Sequence, residues 1–538
     1  IQQTKKDRIT DNRNKKEMNL YTEIIRKERE YADALKEFSL QLKAKNPHLC
    51  RMHGLCTGAR TAFIAAFIAD AKRLCCDTPA LLIVQDEKEA ARACSAMREL
   101  DLDAVVYPYR DFIMHNIIAS HDYEHERLNV LYRIITGSAD VVIATADSAL
   151  QYTMPQEVLS GSVMKIDMNT RIDIDRIAEF LVGCGYVRTD MVDGAGQFSI
   201  RGGIVDIFTA SDDLPIRIEL FDDEIDSMGR FDIVTQRRTE SIDSFVITPA
   251  REVIVSAEAK ERLISKIESR ISKINDKDAT GRLKADLEAL KTGSELKAAD
   301  RYIAGIYEQK ECLLDYFPSS ACVLISEYAS VIEKLKVREQ RQREDVSRLL
   351  EDKATIPSYA EFGKWQSDFE YFAETHAGVM ADTFASGVVN IKTGGIFSIP
   401  TRQTVSYNDK LELLVDDMNE YKKTGYSVVL LCDNEIMAKN MRNLLEQNGI
   451  MSVVTKGESP VSPNMPLIMF GVQLSGYELQ NTKTAVLSLC AYSTGHSAVQ
   501  QRRKSKISKR TAKERIMSYT DLEKGDYVVH VNHGIGIY

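Results

Sequence analysis

Between residues 46 and 155 the chain alternates short β-rich apolar runs with helical text, and that order restricts it to few architectures. An apolar helical stretch from Thr61 to Arg73 leads to "ALLIVQD", then to the helix-like "EKEAARACSAMREL", and later to "DAVVYP" and "ADVVIATADSAL". Strands joined through helices pair in parallel, so this region predicts a parallel α/β sheet. Where its first helix opens stands "GLCTGART", residues 54–61, in the place of a phosphate-binding loop of the form G-x-x-x-x-G-K-[ST]. Gly54 and the final Thr61 are in place, with Gly58 between them. The second glycine of the pattern has become Ala59 and the lysine Arg60.

Those two changes weaken the chemistry of the loop. Ala59 adds a Cβ where backbone N–H groups should approach a phosphate closely, and it has less access to positive φ. Arg60 keeps the charge but puts a broad planar guanidinium where a slim ammonium reaches the phosphates. Thr61 keeps a hydroxyl that could meet Mg²⁺. The second half of such a site is an apolar strand ending in Asp-Glu, and its counterpart here is "VLISEY", residues 323–328. Glu327 is present, but Ser326 replaces the metal-supporting carboxylate, and a hydroxyl cannot offset Mg²⁺ charge in the same way. Two separated losses predict a nucleotide fold without turnover, with no metal and no cofactor of its own.

At 538 residues the chain exceeds one core, and about 150 residues per domain suggests three or four. Its 44% apolar and 28% charged residues read as a soluble globular protein. No apolar run approaches the roughly 18 residues of a membrane span, and no signal-peptide core opens the chain. Ten scattered cysteines form no C-x-x-C pair, Cys75 and Cys76 being adjacent, which suits a reducing cytoplasm. The net charge of −9 would repel a polyanion, yet "QRRKSKISKRTAKER", residues 501–515, holds eight Lys/Arg against one Glu. This run reads as a solvated linker or, more sharply, as a salt-sensitive nucleic-acid contact.

The rest divides by pattern. Residues 1–17 are polar and read as disordered or frayed, and Met18 is a plausible natural start. Residues 19–45 read as one amphipathic helix with Tyr21, Ile24, Ile25, Tyr31, Leu35 and Phe38 on its apolar side. Residues 160–255 carry β-rich runs split by glycine pairs and acidic turns, predicting a small α+β domain with hairpins. Residues 256–315 read as a long charged helical stretch. Residues 385–495 alternate again, with strands at "YSVVLLCD", "MSVVTK", "PLIMFG" and "TAVLSLC". The closing "LEKGDYVVHVNHGIGIY" reads as the first strands of a small barrel that stops before closure, as in a piece of something longer.

The run "GQFSIRGGIVDIF…LPIRIELFDDEIDSMGRFD" followed by "TQRR" resembles the UvrB-homology region of the bacterial transcription-repair coupling factors (Mfd). The ending "KGDYVVHVNHGIGIY", after the basic "RRKSK", resembles the start of that family's RNA-polymerase-interacting domain. The resemblance implies an α/β multidomain fold. After a tail and helix (1–45), a degenerate P-loop NTPase-like, UvrB-like domain (46–160 and 256–384) would be interrupted by a UvrA-binding insert (161–255). A variable α/β domain (385–495), a basic linker (496–524) and the start of an SH3-like β-barrel (525–538) would follow. The family's motor, dependent on ATP and Mg, would lie beyond residue 538 and supply the contact with DNA.

Within the insert, Arg201 precedes Gly202-Gly203 at a bend, and Arg217 and Phe221 lie four apart on "IRIELF", hence on one strand face. Cations beside an exposed aromatic suit a protein-binding hot spot, and the resemblance makes Arg201, Arg217 and Phe221, with Arg237 as an addition, the contacts for UvrA. The plainer reading pairs Arg217 with Asp222, Asp223 or Glu224 and buries Phe221. UvrB grips damaged DNA with an aromatic hairpin. The matching stretch here holds Tyr107, Tyr109, Phe112 and Tyr123, which read as packing residues in a module that does not recognise lesions itself. His121 and His125, four apart, suit a solvated helix face better than zinc, and His530 and His533 read as barrel-turn residues. The reading that follows is an adaptor without catalysis that recruits UvrA to stalled RNA polymerase. The alternatives are a UvrB-like ATPase on damaged DNA and a DNA-binding module working through the basic linker.

Overall fold

In the computed structural model the described residues are 20–489 and the strands 527–530 and 534–537. Within the first span, residues 76–77, 113–120, 275–279, 295, 297, 354, 386–388, 408–409, 456–460 and 464 are left undescribed. The basic run 501–515, residues 1–17 and His533 therefore fall outside the described residues. The chain forms two compact units, residues 1–490 and 491–538. In the second, Tyr527–His530 pairs antiparallel with Gly534–Ile537. Among the described residues no helix is long and apolar enough to cross a membrane.

The alternating text becomes a seven-stranded parallel sheet. Its order is Ile396–Ser398, Leu49–His53, Gly378–Ala381, Val323–Ser326, Ala80–Val84, Val141–Thr145 and Ala104–Tyr107. Strands Ala80–Val84, Val141–Thr145, Val323–Ser326 and Gly378–Ala381 are buried at every position, as parallel strands covered on both faces must be. Successive side chains feed opposite cores: Leu81 and Ile83 enter one apolar cluster, Leu82 and Val84 the other. The sheet also takes Ile396–Ser398, beyond residue 384 where the first module was expected to end, because Arg51 pairs in register with Ile396.

The insert leaves and returns through paired strands, Met164–Asp167 against Ser244–Ile247. Beyond them six strands, from Arg238–Ser241 at one edge to Val187–Arg188 at the other, form a mainly antiparallel sheet. One face presents Phe198, Val205, Ile207, Ile216, Ile218 and Met228 to Ile177 and Leu181 of helix Ile174–Gly183. Its root is tied to the parallel sheet by a buried pair. Arg127 donates to Glu252 at 2.9 and 3.0 Å and stacks 4.2 Å over the Tyr107 ring.

A third, mixed sheet runs Thr401–Gln403, Tyr477–Leu479, Thr484–Ser488, Ser427–Cys432, Leu467–Phe470 and Val453–Thr455. Helix Thr57–Cys75 lies between this sheet and the first. Ala62, Phe63 and Phe67 share one core with Leu82 of the first sheet and with Val429, Tyr477 and Val486 of the third. A helix covered on several sides must be apolar nearly all round, which explains "TAFIAAFIADA". The single helix expected over 19–45 is instead two, Leu20–Arg26 and Arg29–Gln41. The break falls at Glu28, whose buried carboxylate turns to accept from Thr482 Oγ1 (2.7 Å) and Asn481 Nδ2 (3.1 Å).

Gly378 packs against the neighbouring strand so closely that a Cβ there would lie 1.7 Å from the Val323 carbonyl oxygen. Gly378→Ala is expected to cost about 3 kcal/mol or more, read as a lower urea midpoint, because neither central strand can move aside. An unchanged midpoint would mean that the two strands are not held at this separation.

Candidate functional site

Two places bring the expected residues together, and the first is the glycine loop. Gly54 adopts φ +88°, which lets the chain turn from strand Leu49–His53 toward helix Thr57–Cys75. The amides that would cradle a phosphate meet protein acceptors. Gly54 N and Leu55 N donate to the carbonyls of Thr383 and Asp382, Cys56 N to Thr401 Oγ1 (2.7 Å), and Gly58 N to Gln403 Oε1 (3.4 Å). The space above is also taken. A Cβ on Gly58 would lie 2.7 Å from the Gly476 carbonyl and 2.8 Å from that of Ser475. Tyr21 Oη lies 3.0 Å from the Gly58 carbonyl and 2.9 Å from that of Ser475, and Gln403 Nε2 donates to Gly476 O at 2.7 Å.

Ala59 is fully buried, and Thr61 Oγ1 donates back to Thr57 O at 3.1 Å. Arg60 turns inward, donating to Glu327 and to Thr383 Oγ1 (2.8 Å), with Glu89 3.7 Å away. Ser326 Oγ donates to Glu89 Oε1 at 2.8 Å, and Glu327 sits at φ +56° before helix Tyr328–Glu351. The guanidinium at the lysine position is thus paired with the acid that would serve the attacking water. Residues arranged in this way do not fit a nucleotide: the loop's described acceptors are internal and its mouth is closed by residues 475–476. Beside them burial pushes the Asp382 carboxyl up to about 6, against the Tyr328 N–H it accepts (2.9 Å) and with the Glu327 charge adding to the rise.

The second place is the outer face of the insert sheet. Strands Gln197–Arg201 and Ile204–Phe208 join through Gly202 at φ +59° and Gly203, and strands Ile216–Phe221 and Glu224–Phe231 join through Asp222 at φ +61° and Asp223. Both turns lie at one end of the sheet, since Leu220 N donates to Gly203 O at 2.8 Å. Phe221 is 80% exposed there, against the plainer reading that buried it. Arg217 is paired, but with Asp206 rather than with the acidic turn. Nε and Nη2 reach the two Asp206 oxygens at 2.7 and 2.9 Å, and the guanidinium stacks 4.3 Å from the Phe231 ring centroid. Those hydrogen bonds to Asp206 hold the Arg217 pKa above its ordinary value. Arg201 joins the same carboxylate at 2.7 Å, and Arg237 is exposed. Asp223 and Glu224 instead bind Arg171 at 3.1 and 2.7 Å.

Other residues singled out in the sequence have plainer places. Tyr107 is buried under Arg127, Phe112 packs against the core, and Tyr109 and Tyr123 are exposed. His121 lies 2.8 Å from Glu124 and His125 3.0 Å from the Ala250 carbonyl, both at the insert's root. Among the described residues no group of three or more His, Cys, Asp or Glu could hold a metal. For His530 only the backbone strand is described. Asp206, Thr401, Gln403 and Gly476 escaped the sequence reading. Asp206 alone carried a signal, an acid inside the apolar run "IVDIF".

The fold is thus an α/β assembly on a phosphate-loop-type parallel sheet, carrying an insert with an exposed cation–aromatic face. Residues 164–253, the insert and its root, match the family model of the UvrB interaction domain. The chain is 31% identical over 499 residues to a transcription-repair-coupling factor of Bacillus subtilis (strain 168), covering 90% of this chain and 41% of that protein. It is 28% identical over 443 residues to one of Staphylococcus aureus (strain MRSA252), covering 80% and 37%. These matches set the chain beside the N-terminal portion of the transcription-repair coupling factors, and it spans about two-fifths of the length of these relatives. A solved SWI2/SNF2 ATPase core of Sulfolobus solfataricus in complex with dsDNA aligns at 10% identity over 82% of this chain and 77% of that one. Its TM-score is 0.15, too low to bear on the fold.

Asp382 provides a pH test of the loop. The unfolded carboxyl ionises near pH 4 and the folded one near 6, so the native state holds more protons between them and loses stability as pH rises. Asp382→Asn is therefore expected to gain on the parent progressively from pH 4 to 6, by about 3 kcal/mol at most, in urea titrations. A difference that stays constant across this range would show that the carboxyl is not held in its buried, neutral form.

Proposed function

We propose that this chain is an adaptor without catalysis, which binds UvrA through its insert as part of a longer transcription-repair coupling factor. UvrA is the damage-sensing ATPase of nucleotide excision repair. In the whole protein a motor using ATP and Mg²⁺ would translocate on DNA and displace stalled RNA polymerase, which the region after residue 525 would help to engage. The observation that carries the adaptor reading is Phe221. It is a large aromatic left 80% exposed beside Arg201 and Arg217, in a segment that matches a domain described by its interaction. Exposed aromatics next to arginines supply most of the energy in protein interfaces, since each buries much area with few rotamers to freeze.

The absence of catalysis rests on the loop. A nucleotide would have to displace Thr401, Gln403 and the 475–476 carbonyls and break the Arg60–Glu327 pair at once. The competing ATPase reading requires that the altered positions Ala59, Arg60 and Ser326 be tolerated. Restoring the pattern with Ala59→Gly and Arg60→Lys separates the two. On the adaptor reading the double variant still fails to bind a fluorescent ATP analogue at millimolar concentration, because the blockage is not in those residues. Saturable binding by it, or turnover by the parent, would favour the enzyme.

For the partner, calorimetric titration of the folded chain with UvrA is expected to give binding that Phe221→Ala weakens by roughly thirtyfold, the loss of about 2 kcal/mol typical of a central aromatic. Equal affinity for parent and variant would remove the insert face from the interface.

A further inference from the structure

The three residues of the insert face are not independent. In antiparallel pairs, residues directly opposite share a side of the sheet. Ser199 faces Asp206, and Asp206 faces Arg217; one rung on, Arg201 faces Ile204 and Ile204 faces Glu219. Arg201, Asp206, Arg217, Glu219 and Phe221 therefore lie on the side away from the Phe198–Val205–Ile218 core. Among them Asp206 is the hidden one, 1% exposed. A buried carboxylate persists only when its oxygens are occupied. Here Oδ1 accepts from Arg217 Nε (2.7 Å), and Oδ2 accepts from Arg217 Nη2 (2.9 Å) and Arg201 Nη2 (2.7 Å).

Asp206 does more than neutralise. Arg217 is gripped through Nε and Nη2 along one edge of its guanidinium, stacked on Phe231 and tied to Gln236 Oε1 at 3.1 Å, so its plane is fixed. Arg201 is anchored by one nitrogen and remains 47% exposed, against 17% for Arg217. Because the shared carboxylate takes only Nη2 of Arg201, the half-exposed guanidinium keeps N–H groups turned toward the surface. The nearby acids are engaged elsewhere: Glu219 accepts from Ser227 Oγ (2.8 Å) and pairs with Arg238, and Asp223 and Glu224 are held by Arg171.

We propose that Asp206 is a positioning residue for the partner interface: from beneath the surface it holds Arg201 and Arg217 beside Phe221, in place to receive a carboxylate from the partner. The inference rests on the reading of this face as the UvrA contact. It makes a prediction of definite sign. If Asp206 were only a negative charge near an acidic partner, Asp206→Asn would tighten binding. If it positions the arginines, the same change loosens binding, because an amide cannot hold two forks and ordering them again costs affinity.

The test is calorimetric titration of UvrA with the full chain carrying Asp206→Asn, beside the parent and Phe221→Ala, with thermal melting as a check on folding. The expected result is a weakening by at least about tenfold, with Arg217→Lys weakening binding too although it keeps the charge. Binding equal to or tighter than the parent's, with Phe221→Ala still impaired, would overturn the positioning role and leave the UvrA reading intact. No effect from Phe221→Ala or Asp206→Asn would overturn both. If Asp206→Asn melts early, Asp206→Glu, which keeps the charge but displaces it by a methylene, takes its place. Weaker UvrA binding by that variant supports the proposal, and unchanged binding overturns it.

Discussion

A backbone N–H removed from water must find an acceptor, and in this chain the amides of Gly54, Leu55, Cys56 and Gly58 find theirs within the protein. In a nucleotide-binding loop those acceptors would be phosphate oxygens. Here they are the carbonyls of Asp382 and Thr383 and the side chains of Thr401 and Gln403, the last two on the edge strand of the third sheet. That substitution ties the architecture together. The third sheet sits over helix Thr57–Cys75, helix Leu20–Arg26 sets Tyr21 against the loop, and residues 475–476 close the space that remains. Arg60 follows the same logic from the side-chain direction, its guanidinium being held by Glu327.

The insert answers the opposite problem. Its inner face is a conventional apolar sheet against one helix, but its outer face keeps charge and an aromatic at the surface. Such a face is stable only if its charges are mutually satisfied, which the shared Asp206 carboxylate and the Arg171 pairs accomplish. Phe221 stays uncovered because it lies beside the hairpin turn on the face turned away from the core, while Leu220 next to it packs inward. The root of the insert is polar as well as apolar, with Arg127 and Glu252 fully buried and paired.

Much of this fold could be read because its central strands are buried on both sides. "ALLIVQD" and "YSVVLLCD" are unbroken apolar runs and became Ala80–Val84 and Ser427–Cys432. Ile396–Ser398, Thr401–Gln403 and Tyr477–Leu479 were missed, being three residues each with no periodicity to detect. The helix break at Glu28 depends on Thr482, a partner no local pattern contains. At the candidate sites the sequence exposed the altered loop residues and Arg201, Arg217 and Phe221. It could not reveal that Ser475–Gly476 fills the loop, or that Asp206 lies under both arginines, because each depends on which distant segments come into register.

The central claim is that the chain works by presenting its insert to UvrA and not by handling a nucleotide. Hydrogen exchange of the full chain, followed by mass spectrometry with and without UvrA and with and without ATP, tests it most directly. The account predicts slowed exchange with UvrA across residues 197–208 and 216–224, and no change across 54–61 with ATP. Protection of 54–61 by ATP, or a UvrA footprint that leaves the insert untouched, would contradict it.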